Sequence, residues 1–186
     1  MSRTPSNMLE LETIAPEFYI KDTAIDNAYF SFADIKGEKG TLVMFICNHC
    51  PFVHHVIDEV VRIANDYRVQ GLGVLAISSN DVINFPQDSP ELMTEFAFEN
   101  NFEFPYLYDE SQEVAKAYDA ACTPDFFLFD RQNKLVYRGQ LDDSRPGNGI
   151  PLSGNDLRGA IDSVVYNRIS NPNQKPSIGC NIKWKK

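Results

Sequence analysis

Apolar residues recur along this chain in two rhythms. Short unbroken runs, Leu42-Val43-Met44-Phe45-Ile46, Val74-Leu75-Ala76-Ile77 and Asp125-Phe126-Phe127-Leu128-Phe129, predict buried strands, and Lys134–Arg138 predicts a fourth strand paired across the polar turn Asp130–Asn133. Between them the spacing becomes helical. From Phe52, the positions Val53, Val56, Ile57, Val60, Val61, Ala64 and Tyr67 share one face, with Pro51 suited to a first turn and Gly71 and Gly73 marking the stop. Further helices are predicted from Pro90 through Glu99, from Ser111 to about Tyr118, and on the face Leu157, Ile161, Val164, Val165 and Ile169. Phe18–Ile20 and Ala28–Phe30 read as a strand pair around the turn Asp22–Asn27, and Tyr106–Tyr108 as a short strand. Val82–Pro90 and Gln140–Ser153 read as loops, and Asn171–Lys186 as a tail.

The order strand–helix–strand–helix, then a hairpin, then a helix, predicts an α/β fold. A strand–helix–strand unit gives a parallel pair, the hairpin adds antiparallel strands, and helices cover both faces of a mixed central sheet. No repeat or domain boundary is visible, so residues 1–186 are expected to form one domain, with its core at about 15–170 and the tail after it.

Composition narrows the function classes. A net charge of −9 argues against nucleic acid as the main partner. No acid follows Asp162, so Arg168, Lys175, Lys183, Lys185 and Lys186 make a basic tail, expected to lie across the acidic body. No run is long enough to span a membrane, and Met1–Ile20 has no secretory h-region, so the expected compartment is the cytoplasm. Four cysteines in such a chain suggest redox or metal work more than a disulfide framework.

Cys47-Asn48-His49-Cys50 lies where the first buried strand meets the first long helix. A helix start favours negative charge, and the thiolate is the reactive form of cysteine. Dithiol–disulfide exchange is therefore the first reading. It needs an exposed Cys47 sulfur close to the opening N–H groups of the helix, with Cys50 more buried; a Cys47 walled off from solvent, or one that titrates as an ordinary free thiol, would defeat it. His49, as an imidazolium, would stabilise the Cys47 thiolate and make the couple more oxidising. A zinc site from Cys47, Cys50 and His54 or His55 lacks further ligands of matching spacing, so no metal and no organic cofactor is expected. His54 and His55 read as a polar helix face. Cys122 reads as a small core residue, and Cys180 as either packed or exchanging with Cys122 or the cysteine pair.

With strand, CxxC and helix in that order, and Thr123-Pro124 ahead of a strand, the chain resembles the thioredoxin-like superfamily. The words Ala15-Pro16-Glu17-Phe18 and Phe45-Ile46-Cys47-Asn48-His49-Cys50-Pro51-Phe52 place it closest to the branch of alkyl hydroperoxide reductase/thiol-specific antioxidant proteins, over roughly Ala15 to Ile169. The resemblance implies a three-layer α/β/α sandwich with a mixed sheet, an N-terminal β-hairpin extension and an insertion between Asn80 and Pro105. It implies Cys47 as attacking thiol, Cys50 as resolving thiol, a cis Pro124 facing the pair, and Thr123 offering backbone groups to an extended substrate. Two departures stand out. The buried carboxylate that thioredoxins carry on the strand before the cysteines would fall at Thr41 or Met44, and the P-x-x-x-[ST]-x-x-C pattern of peroxiredoxins fits neither Cys47 nor Cys50. The topology also predicts that Asn80-Asp81 and Asp142–Arg145 rim the pair, with Arg145 facing a thiolate or an acidic substrate, or tied to Asp142 or Asp143.

The expected activity is thiol–disulfide oxidoreduction on protein or small disulfides, recharged by a thioredoxin system or glutathione. A peroxiredoxin-like peroxidase with Cys50 or Cys180 resolving is the alternative. A non-catalytic redox-sensing or partner-binding module, indifferent to Cys47→Ser, is a third.

Overall fold

The computed structural model describes residues 3–25 and 28–186. Its central sheet has seven strands: β2 (Tyr19–Asp22), β3 (Tyr29–Ser31), β4 (Gly40–Phe45), β5 (Leu72–Ser78), β6 (Tyr106–Tyr108), β8 (Asp125–Asp130) and β9 (Leu135–Gly139), in the order β3-β2-β6-β5-β4-β8-β9. The pairs β4–β5 and β5–β6 are parallel, and β2–β3, β2–β6, β4–β8 and β8–β9 are antiparallel, which makes the sheet mixed as expected. The predicted N-terminal hairpin is β2–β3. Its predicted turn includes Asp26 and Asn27, which lie outside the described residues.

Side chains alternate across a strand, so each buried run feeds two cores. Leu42, Met44, Val74, Ala76, Phe126 and Leu128 pack under α2 (Pro51–Arg68), α3 (Pro90–Glu99) and α5 (Asn155–Val165). Val43, Phe45, Leu75, Ile77, Phe127 and Phe129 pack on the other face with α1 (Phe32–Ile35) and α4 (Glu113–Ala117). Three layers result.

Helix ends follow local chemistry. Pro51 and Pro90 open α2 and α3, Ser89 caps α3, and Gly71 takes φ +95° just past α2. Two expected helices are shorter than predicted. Gln112 at φ 66° sets the start of α4, and Asn167 at φ 53° ends the last helix, so Ile169 is 97% exposed instead of sitting on the α5 face.

The largest correction concerns the tail. β10 (Ile178–Asn181) lies between β1 (Arg3–Pro5) and β7 (Cys122–Thr123) in a second, three-stranded sheet, antiparallel to both. Beyond it, Lys183 N–H donates to Asn80 Oδ1, Asp81 N–H donates to Lys183 O, and Lys185 N–H donates to Gln112 Oε1. Chiefly backbone bonds, and less the tail's charge, hold it on the body.

Candidate functional site

The end of β4, the first turn of α2, β7 and β10 bring Cys47, Cys50, Thr123, Pro124 and Cys180 together. Cys50 is the N-cap residue of α2. Its Sγ donates to Thr123 O at 3.1 Å and lies 2.9 Å from Cys180 Sγ. Cys47 Sγ is 3.3 Å from Thr123 Oγ1. The Thr123–Pro124 peptide is cis. Cys47, Cys50 and Cys122 are thiols outside any disulfide.

Two expectations fail here. The Cys47 sulfur is not exposed: the residue is 1% accessible, against 0% for Cys50 and 1% for Cys180. Nor, among the described residues, does any backbone N–H bond the Cys47 sulfur, and the amides of the turn just ahead of α2 are taken by another group. The N–H groups of Asn48 and His49 both donate to Asp88 Oδ1, at 2.9 and 3.2 Å, while Asp88 Oδ2 accepts from His49 Nδ1 at 2.6 Å and from Asn80 Nδ2 at 2.8 Å. Asp88 is fully buried, and four donors converge on its carboxylate. The imidazole is thereby committed to a carboxylate. His49 Nδ1 stands 4.0 Å from Cys47 Sγ, so whatever positive charge it carries is shared with Asp88.

Acidity within the pair is asymmetric. The Cys50 thiol is drawn well below its ordinary range by the hydrogen bond from Cys47, helped by Cys180, the Thr123 hydroxyl and the Val53 N–H, against the opposing effect of burial. The Thr123 carbonyl at 3.1 Å also opposes that thiolate, since a carbonyl oxygen offers it no proton. Cys47 is pushed up by the hydrogen bond it gives Cys50, by burial and by the Asp88 charge. Of the two thiols, Cys50 is therefore the more readily ionised.

Asp88 was not visible in the sequence. It sits in the segment read as loop, within a 3-10 turn (Pro86–Asp88), and its partner His49 is 39 residues away, so no spacing marks it. Phe85 is the other addition, stacked on the His49 ring at 5.9 Å between centroids, with Lys183 Nζ 5.6 Å from the Phe85 centroid. Asn80 reaches the site through Asp88. Arg145 instead donates to the carbonyls of Asp142 and Ser144 and to Gln140 Oε1, and among the described residues it makes no bond to the cysteines or to the Asp142 and Asp143 carboxylates. Cys122 is buried, its Sγ 3.6 Å from Pro124 O, and desolvation holds its thiol well above the ordinary range.

His54 packs edge-on against Phe96 and His55 Nε2 bonds Ser144 Oγ at 2.7 Å, so neither joins the cysteines as a ligand. Ligand-type atoms of Cys47, His49 and Asp88 do cluster within 4.8 Å. The 2.6 Å contact between His49 and Asp88 is, however, a direct hydrogen bond, closer than the roughly 3.3 Å that two N/O ligands on one tetrahedral zinc keep.

The model of the AhpC/TSA family matches residues 11–138, and the chain belongs to that family. A conserved protein from Geobacillus kaustophilus, described as uncharacterized, is 55% identical, with 100% of this chain and 97% of that chain covered and a TM-score of 0.97. A hypothetical protein from Sinorhizobium meliloti is 48% identical over 98% of each chain, with a TM-score of 0.94. The thioredoxin domain of a thiol-disulfide oxidoreductase from Bacteroides vulgatus shares the fold at 18% identity and a TM-score of 0.59, over 74% of this chain and 90% of that one. The fold is thioredoxin-like. No curated protein gives a significant sequence match. No described helix is long and apolar enough to cross a membrane.

Proposed function

We propose that the protein is a thiol–disulfide oxidoreductase whose redox couple is Cys47–Cys50. The observation that carries the reading is the seat of the pair: two linked thiols at the start of α2, with Cys50 hydrogen-bonded to the carbonyl that precedes cis-Pro124. Cys47 is closed to solvent in this state, so substrate reaches it through local opening, and Cys47 meets it first because the Cys50 sulfur is bonded to both Thr123 O and Cys180 Sγ. As Cys47 attacks a substrate disulfide, its proton passes to Cys50, a mixed disulfide forms, and one substrate thiolate leaves. Cys50 then attacks Cys47 Sγ, giving its proton to the departing sulfur so that the second substrate half leaves as a thiol, and the Cys47–Cys50 disulfide remains. A dithiol reductant of the thioredoxin type, or two molecules of a monothiol such as glutathione, restores it, and the compartment that fits is a reducing one such as the cytoplasm.

The 1% exposure of Cys47 favours a second reading, because a small oxidant can reach a sulfur that a protein disulfide cannot. With a peroxide, the Cys47 thiolate takes one oxygen to become a sulfenic acid and releases water or an alcohol. Condensation with Cys50 releases a second water and gives the same disulfide. Insulin reduction driven by a dithiol, run beside consumption of micromolar hydrogen peroxide, separates the two. Turnover of insulin with slow peroxide loss supports the first reading, the reverse pattern supports the second, and neither activity overturns both.

A further inference from the structure

Three thiols meet in this site, and the third arrives on the C-terminal strand. β10 pairs with β7 so that Cys180 stands opposite Thr123, and its Sγ lies 2.9 Å from Cys50 Sγ. That separation is below ordinary sulfur–sulfur contact and a small displacement from the S–S bond length of about 2.05 Å. We infer that Cys180 is a third redox thiol of the site, which moves the disulfide from Cys47–Cys50 to Cys50–Cys180 and so returns Cys47 to its reduced state. This rests on the reading of Cys47–Cys50 as the redox couple.

The approach of the strand depends on Gly179. A Cβ there would lie 2.0 Å from Thr123 O, 2.6 Å from Thr123 C and 3.1 Å from Pro124 N, so any other residue forces β10 and the Thr123–Pro124 backbone apart. The strand is anchored on both sides of that point. Arg3 pairs with Cys180 and Asn181 with Cys122. Ser177 Oγ donates to Pro124 O at 2.7 Å, and Lys183 N–H donates to Asn80 Oδ1 at 2.8 Å, which ties β10 to the residue that supports Asp88. A cysteine that merely filled core space would not need a glycine-dependent strand to aim it at one sulfur.

The step is an exchange with no net oxidation. The Cys180 thiolate attacks Cys50 Sγ of the Cys47–Cys50 disulfide, the Cys50–Cys180 bond forms as the Cys47–Cys50 bond breaks, and the electron pair leaves on Cys47, which takes up the proton that Cys180 gave up. The disulfide then links α2 to β10 beneath the strand. Cys47 is left able to meet a second oxidant while the first oxidising equivalent waits for the external reductant.

The test uses the full chain with Cys47→Ser and Cys122→Ser, which leaves two of the four cysteines. After oxidation with diamide, acid quench, and alkylation in denaturant, the expected result is complete loss of both titratable thiols and a tryptic peptide pair joined through Cys50 and Cys180. Adding Gly179→Val, which alters no cysteine, should largely abolish that link. Partly oxidised wild-type protein, mapped the same way, should contain both disulfides and supplies the same readout if the variant does not fold. In Cys180→Ser the disulfide should be confined to Cys47–Cys50. Its formation there, with no Cys50–Cys180 link in the other proteins, overturns the inference and leaves the couple standing. Absence of both disulfides from every protein overturns the couple as well.

Discussion

Two carboxylates flank the cysteines, both fully buried, and they are treated in opposite ways. Asp88, on the side of the 80–89 segment, accepts from two backbone N–H groups, the His49 ring and the Asn80 amide. Asp125, on the side of β1, β7 and β10, has an Oδ1 with no partner among the described residues, and burial pushes its carboxyl up to about 7 despite bonds from Ser6 and the Ala121 and Phe126 N–H groups. A buried carboxylate keeps its charge only where donors replace its water. The 80–89 flank therefore holds a carboxylate satisfied by four donors beside Cys47, while on the tail flank a carboxyl left partly unsatisfied favours keeping its proton beside Cys122. Cys50 joins the two flanks, hydrogen-bonded to Cys47 toward the first and to Thr123 O and Cys180 Sγ toward the second.

The largest effect should follow from removing the residue the two flanks share. Cys50→Ser should lower turnover of a disulfide substrate by roughly a thousandfold or more and trap a mixed disulfide on Cys47, because neither Cys47 nor Cys180 then has its partner within reach. Retention of a tenth of wild-type turnover would refute the shared role.

Asp125→Asn is next, and it probes the tail flank by stability. A carboxyl whose folded pKa is raised binds its proton more tightly in the folded state, so its contribution is present below the unfolded value of 3.8 and is lost as pH rises through about 7. The amide cannot ionise. Above pH 7 the variant should be more stable than wild type by on the order of 2 kcal/mol in urea unfolding, with the gap closing toward pH 4. A variant less stable at pH 8 than wild type would show that Asp125 is held as a satisfied anion, like Asp88.

Asp88→Asn should act on chemistry more than on stability of the fold. Without the adjacent charge, Cys47 ionises more readily, the reduced couple gains as thiolate, and the reduction potential should become more oxidising by on the order of 30 mV. In wild type, absorbance at 240 nm should report one thiolate already formed below about pH 7, from the depressed Cys50, and a second only in the alkaline range. A potential unmoved in Asp88→Asn would mean that the His49–Asp88 pair is electrically silent at Cys47.

What could be read from the chain differs between these flanks for a physical reason. β4, α2, β5 and the β8–β9 hairpin are written in local periodicity, since each buries one or both faces against the sheet, and CxxC and Thr123-Pro124 are contiguous words on those elements. β1 and β10 are three- and four-residue strands, Arg3–Pro5 and Ile178–Asn181, with no alternation to announce them; they exist because β7 offers an edge. Asp88 was equally hidden, since a buried acid is legible only when its donors are, and those donors are backbone amides of another element. The expected exposure of Cys47 failed for the same cause. Local sequence places a sulfur at a strand end, but a distant loop and a distant strand decide whether water reaches it.

The smallest effect tests which flank opens. Beside the backbone bonds that tie Lys183 to Asn80 and Asp81, Lys183 Nζ lies over the Phe85 ring, which stacks on His49, a half-buried cation–π contact of about 0.5–1 kcal/mol. Lys183→Ala should make local opening of the His49–Phe85 cover about two- to fivefold more frequent, and Cys47 should be alkylated faster by that factor in the native protein. Cys50 and Cys180 should keep their wild-type rates, because β10 remains paired on β7 and Gly179 still seats it. If all three thiols instead accelerate together, the cover and the strand open as one unit, and access to Cys47 requires release of the tail.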